Sequence, residues 1–131
     1  MHVHPLFVQV LGCHAKPLNA TASGSNYSFP RQYPADNGKS CICEFNVAHY
    51  CIAACARNIR NHEVRYQYGK GTTIVSCSEG NHVLGCNIMP NAGSLNITEC
   101  YAWAAKDTSS CECYSSAEIG ATCYALCGRV I

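Results

Sequence analysis

The sequence predicts a mostly-β, disulfide-rich antiparallel β-sandwich, jelly-roll-like, with one short helix near residues 46–59. Three observations carry that expectation. Twelve cysteines in 131 residues place the chain among disulfide scaffolds, and the even count lets every thiol find a partner. Short runs rich in alternating apolar and β-branched residues recur along the chain, separated by turn clusters such as MPNAGS and AKDTSS, a pattern of antiparallel rather than parallel sheet. A length of 131 residues suits one domain, 1–131, with a real core to which cross-links add materially.

Composition excludes several classes of function. Nine Lys and Arg against eight Asp and Glu leave no long-range field to attract nucleic acid or an anionic membrane. No apolar run reaches the ~20 residues of a membrane-spanning helix; Gln9 and Gly12 interrupt the longest early stretch, PLFVQVLGC. Three sequons, at Asn19, Asn26 and Asn96, lack proline in the middle position and can accept N-linked glycan. Together with the cysteines they predict a secreted, extracellular glycoprotein, because disulfides persist in oxidising compartments. The opening MHVHPLFVQVLGCHA has no Lys or Arg before Lys16, so it reads as the start of a mature chain whose leader has been removed.

The elements follow in order. Leu6, Val8 and Val10 alternate with Phe7, Gln9 and Leu11, which predicts a first strand. Residues 15–40 are rich in Pro, Ser, Asn and Gly and read as an exposed loop pinned at its ends by Cys13 and Cys41. In FNVAHYCIAACARNI, Asn46 is a candidate N-cap, and Val47, Cys51 and Cys55 recur every four residues, which predicts the helix with both thiols on one face. EVRYQYGKGTTIVSC predicts two strands around a tight Gly69-Lys70-Gly71 turn. Further short strands are expected at 82–86, 96–105, 110–114 and 121–131.

The cysteine spacings carry most of the information. Cys41, Cys43, His49, Cys51 and Cys55 are spaced so that a zinc ion could use them, but a secreted chain favours disulfides there. Cysteines four apart on a helix face and two apart on a strand face, as in Cys51/Cys55 with Cys111/Cys113 or Cys41/Cys43, can be bridged in register. That arrangement resembles the cysteine-stabilised αβ motif of invertebrate defensins, and AHYCIAACARNIR is locally similar to a defensin helix. In CSEGNHVLGC, residues 77–86, Gly80 and Gly85 read as turn and close-approach positions between bridged strands.

That stretch, followed by Cys100, Cys111-Glu112-Cys113 and GATCYALCGRV, resembles the Cys-rich β-module of resistin and resistin-like hormones. It is also similar to the repeated C-terminal modules of the proprotein convertase that targets the low-density lipoprotein receptor. The resemblance covers about residues 55–131. The nested connectivity of that family implies bridges Cys77–Cys123, Cys86–Cys111 and Cys55–Cys127, and leaves Cys13, Cys41, Cys43, Cys51, Cys100 and Cys113 unassigned. It implies self-association or receptor binding as the mode of action.

No nucleophile elbow, paired-carboxylate motif or His-Glu-x-x-His is present, so no catalytic residue and no cofactor are expected. His2 and His4 form a candidate copper chelate if the amine of His2 is free; His14, His49, His62 and His82 are scattered. The aromatic pairs Tyr66/Tyr68 and Tyr101/Trp103 each fall on one strand face, where they either close a core or offer a binding platform. Trp103, with alanine on both sides, also suits a subunit interface. The expected function is therefore a secreted, non-enzymatic protein-interaction or assembly module, with an extracellular protein or a second copy as partner. The alternatives are a defensin-like or toxin-like host-defence protein, with Arg57, Arg60, Arg65 and Lys70 as its basic patch, and a structural extracellular-matrix or adhesive protein.

Overall fold

The computed structural model describes residues 8–18, 30–91 and 100–130. Of these residues 71 % are in strands and 3 % in helix, so the chain is mostly β and disulfide-rich. The strands are β1 Gln9–Pro17, β2 Arg31–Ala35, β3 Ser40–Glu44, β4 His49–Ala56, β5 Ile59–Gly69, β6 Gly71–Ser76, β7 His82–Pro90, β8 Cys100–Ala104, β9 Ser110–Ser115 and β10 Ala121–Val130. One 3-10 turn, Asp36–Gly38, joins β2 to β3. All pairings are antiparallel, and they build four small sheets ordered β1-β4, β2-β3, β5-β10-β7 and β6-β9-β8.

Strand β10 occupies the centre. Its sequence ATCYALCGRV is nearly continuous in small and apolar side chains, as a strand covered on both faces requires. Tyr124 is paired with Tyr66 of β5 on one side and Asn87 of β7 on the other. Ala121, Cys123, Ala125 and Cys127 project into a core shared with Val75, Ile88, Cys111 and Cys113. Leu126 projects the other way and packs with Val10 and Cys13 of β1, against which Cys41 and Val64 also lie. The sheet β5-β10-β7 is thus a middle layer, with β6-β9-β8 on one side and β1 on the other.

Five disulfides staple the layers. Cys113–Cys123, Cys77–Cys127 and Cys86–Cys111 connect the two three-stranded sheets and the residue after β6. Cys13–Cys41 joins β1 to β3, and Cys43–Cys51 joins β3 to β4. Sequence separations run from 8 to 50 residues, so loop-closure entropy assigns about 2.5 kcal/mol to the shortest loop and about 4 kcal/mol to the longest.

The Cys86–Cys111 bridge implied by the family resemblance is present; the other two are replaced. Cys123 pairs with Cys113 rather than Cys77, and Cys127 pairs with Cys77 rather than Cys55. The reason is alternation along β10. Cys123 and Cys127 both point at the β6-β9-β8 layer, where Cys113 and Cys77 stand with Cα separations of 5.7 and 5.8 Å. Cys55 lies on β4, paired to β1 on the opposite side of β10, so the inward face of Cys127 does not look toward it. Cys55 and Cys100 are free thiols.

Three other expectations change. Residues 49–56 are strand β4 instead of a helix, paired to β1 from Pro17↔His49 to Gln9↔Ala56. A four-residue recurrence fits period 2 as well as period 3.6, and the pairing with β1 and the Cys43–Cys51 bridge override the alanine propensity. With that helix absent, the αβ motif is absent too, as is the Cys51/Cys55 to Cys111/Cys113 bridging; of the Cys41/Cys43 alternative, Cys43–Cys51 forms, between two strands, and Cys55 stays free. The 63–77 segment is two strands but not a hairpin: β5 pairs with β10 and β6 pairs with β9, so the chain changes sheets at Lys70, with Gly71 at φ +70°. Within 15–40, Ala15 lies in β1 and buried Pro34 in β2, and Cys13 and Cys41 are joined directly.

The 77–86 stretch is fixed from outside itself. The Glu63 carboxylate accepts hydrogen bonds from the Ser78 N–H and hydroxyl, both 2.7 Å, and from the Asn81 side-chain amide at 2.9 Å. Gly80, at φ +85°, completes the turn, and a Cβ on Gly85 would collide with the backbone oxygen of Leu11 in β1. Gly85 is therefore the place where the middle layer touches β1 backbone to backbone.

Two tests follow from this arrangement. Gly85→Ala is expected to lower unfolding free energy by about 1–3 kcal/mol, read from denaturant midpoints; an unchanged midpoint would contradict the close approach. Burial alone would raise the pKa of Glu63, but its hydrogen bonds from Asn81 and Ser78 and the charge of Arg65 outweigh that and hold it below its ordinary value. A depressed carboxyl pKa contributes stability that is present above the unfolded value, about 4.3, and is lost as pH falls through the folded one. Denaturation midpoints should thus fall on acidification through that window, and the fall should be shallower in Glu63→Gln.

Candidate functional site

Inward-pointing cysteines determine what faces outward. In β9, Cys111 and Cys113 are fully buried in bridges to β7 and β10, so alternation turns Ser110, Glu112 and Tyr114 to the other side of the sheet. Register then completes a grid. Ile74 of β6, Glu112 and Trp103 of β8 form one row, and Thr72, Tyr114 and Tyr101 form the next.

The apolar members of this face are open to solvent: Ile74 is 56 % exposed, Tyr101 49 % and Trp103 38 %. The rings lie side by side. Tyr101 stands 5.3 Å from Trp103 and 5.5 Å from Tyr114, with tilts of 34° and 36°, so the three make a gently curved strip. Beside it an open depression of about 720 Å³ is lined by Ile74, Trp103, Lys106, Asp107, Ser110 and Glu112 among others. Asp107 is occupied in shaping the turn. Its carboxylate accepts from the Ser109 N–H at 3.0 Å and the Ser110 hydroxyl at 3.3 Å, and these bonds, Ser109 foremost, hold its carboxyl below the ordinary value. Glu112 has no ion-pair or hydrogen-bond partner among the described residues.

The other aromatic pair is placed elsewhere. Tyr66 and Tyr68 share a face of β5 as expected, on the side of the middle layer that turns away from β6-β9-β8. Both are engaged within the molecule. The Tyr66 ring lies 5.8 Å from Tyr124, which stacks on Tyr33 at 6.3 Å, and the Tyr68 hydroxyl donates to the Ile119 carbonyl at 2.9 Å. The two predicted pairs therefore do not form one surface: Tyr66 and Tyr68, 69 % and 49 % exposed, make a second aromatic patch on the opposite side, and Tyr101/Trp103 is the pair that adjoins the depression.

His2 and His4, and the sequons at Asn19, Asn26 and Asn96, lie outside the described residues. Of the remaining histidines, His49 bonds the Val47 carbonyl and His62 the Val10 carbonyl. Of the four thiols spaced for zinc, Cys41, Cys43 and Cys51 are consumed in disulfides and Cys55 is free, and among the described residues no group of three or more His, Cys, Asp and Glu is placed to hold a metal. Glu112, Tyr114 and Ile74 were not singled out by sequence reasoning, although Cys-Glu-Cys-Tyr carries the signal: if the cysteines bridge inward, the residues between them face out.

No protein-family model, curated protein or solved structure matches the chain.

The two free thiols differ. Cys100 is partly buried on the inner side of β8 and its pKa is pushed up to about 11 by burial, which outweighs the opposing hydrogen bond with Ser115; Cys55 is exposed on β4. Brief treatment of the native protein with iodoacetamide at pH 8 should label Cys55 at least about tenfold faster than Cys100, since the thiolate is the nucleophile and access limits it. Peptide mass spectrometry reads the ratio, and equal labelling would contradict this assignment.

Proposed function

We propose that the chain is a secreted, non-enzymatic extracellular recognition module that binds a protein partner through the outer face of β6-β9-β8. The observation that carries this reading is the strip Tyr101, Trp103 and Tyr114, continued by Ile74 across Glu112. Exposed apolar groups gathered on one rigid sheet mark contact surfaces, and Trp and Tyr concentrate binding energy in them. Five disulfides support an oxidising extracellular setting, and among the described residues no helix is long and apolar enough to cross a membrane. N-glycans at Asn19, Asn26 and Asn96 belong to the same proposal. The Cys86–Cys111 bridge keeps the resistin-like resemblance as a proposal for residues 55–131.

A second reading, self-association as an assembly or matrix protein, is favoured by a different observation. Strand β4, HYCIAACA, is exposed along most of its length and pairs only with β1 among the described residues. An open apolar edge invites antiparallel pairing with a second copy.

Two measurements test these readings. Fluorescently labelled, disulfide-intact chain should bind cell surfaces or extracellular matrix saturably, and Tyr101→Ala/Trp103→Ala should weaken that binding at least about tenfold while Tyr66→Ala leaves it unchanged; equal binding by all three would remove the recognition reading. Light scattering at rising concentration should show dimers or larger species that vanish in Ile52→Lys; a monomer at all concentrations would remove the assembly reading.

A further inference from the structure

We propose that the depression around Glu112 binds a cationic side chain of the protein partner, specifically an arginine whose guanidinium lies along Trp103 and pairs with the Glu112 carboxylate. This deepens the recognition reading above and rests on it.

Charge complementarity selects the occupant. Glu112 stands at the middle of its row, with Trp103 directly across on β8 and Ile74 directly across on β6. It is half-buried and meets no cation of its own chain among the described residues. The charged residues lining the depression are Lys106, Asp107 and Glu112, leaving one net negative charge, and Asp107 is already held by Ser109 and Ser110. The carboxylate left with free acceptor capacity is therefore the one beside the rings.

An arginine satisfies both halves of this surface at once. Its planar guanidinium stacks on an aromatic face and presents a fork of N–H donors in the same plane, which suits a carboxylate flanking the ring. A lysine ammonium pairs with the carboxylate but cannot stack as a plane. Lys106 at the rim opposes a run of cations, so the fitting segment carries one arginine rather than a basic cluster. The ring strip has a further consequence for geometry: Tyr101 and Tyr114 continue it along the sheet, so an apolar or aromatic neighbour of that arginine has a place to lie.

Trp103 is the single tryptophan of the chain, so its emission reports this site alone. The intact, oxidised protein is titrated with a capped Gly-Arg-Gly peptide, the isosteric citrulline peptide and a neutral oligosaccharide such as chitotriose. The arginine peptide should change Trp103 emission saturably, with half-saturation on the order of 1 mM, and the citrulline peptide should bind at least about fivefold more weakly. Glu112→Gln should abolish that difference at an unchanged melting temperature, whereas Glu79→Gln, on a separate exposed turn, should keep it. Glu112→Arg should reverse the preference toward a Gly-Asp-Gly peptide. The proposal is overturned if the citrulline and arginine peptides bind equally to the unaltered protein, if Glu112→Gln preserves the preference, or if only the oligosaccharide binds. In each of those cases the recognition reading stands as long as cell-surface binding still depends on Trp103. Loss of that dependence instead removes the recognition reading itself.

Discussion

The bridging of β10 to the facing sheet is the constraint on which the rest depends. Cys113–Cys123 and Cys77–Cys127 fix the middle strand of the middle sheet against β9 and the end of β6, and the same strand contributes Leu126 to the core on its other side. A chain of this size can bury only a modest apolar core. Here much of that core is sulfur, since Cys111, Cys113, Cys123 and Cys127 are among its fully enclosed side chains. Packing and cross-linking are done by the same atoms, so losing one of these cysteines removes a covalent constraint and leaves a cavity together.

The site follows from that constraint. Once Cys111 and Cys113 are committed inward, the residues between and after them must face outward, and the register with β6 and β8 brings Ile74, Trp103, Tyr101 and Thr72 alongside. A bridged three-stranded sheet is a stiff support. Side chains held on such a sheet are ordered before any contact is made, so the binding proposed for this face would lose less entropy than binding through a loop.

Much of the strand pattern was legible in the residues. The stretches 110–114 and 121–130 appear as β9 and β10 almost as expected, and 82–86 as the first part of β7, which runs on to Pro90 through the start of the expected MPNAGS turn, because alternation is a local signal. Gly80 and Gly85 were legible because glycine is a local signal too. The strand character of 49–56 was not, since Val47, Cys51 and Cys55 are equally in phase with a helix and the deciding partner, β1, lies more than thirty residues away. The separation of β5 from β6 into different sheets was hidden because a Gly-Lys-Gly turn serves a hairpin and a sheet crossing alike. The bridge pairing of β10 could not be read from spacing, which says which face a cysteine occupies and not which layer stands opposite. At the site, Trp103 and Tyr101 were visible as a pair, whereas Glu112 becomes meaningful only when the cysteines beside it are known to point inward.

The central place of β10 also has a bearing on how the molecule is made. Of the described strands it is synthesised last, yet among the described residues β5 and β7 have no other neighbour in their sheet. Cys13 and Cys41, and Cys43 and Cys51, meet early, within 28 and 8 residues of each other. Cys77 waits 50 residues for its partner, and throughout that interval its thiol is available to the wrong cysteine. Enclosure of the core thus runs against the order of synthesis, and any wrong pair made while the middle layer is still missing its centre has to be undone by thiol–disulfide exchange.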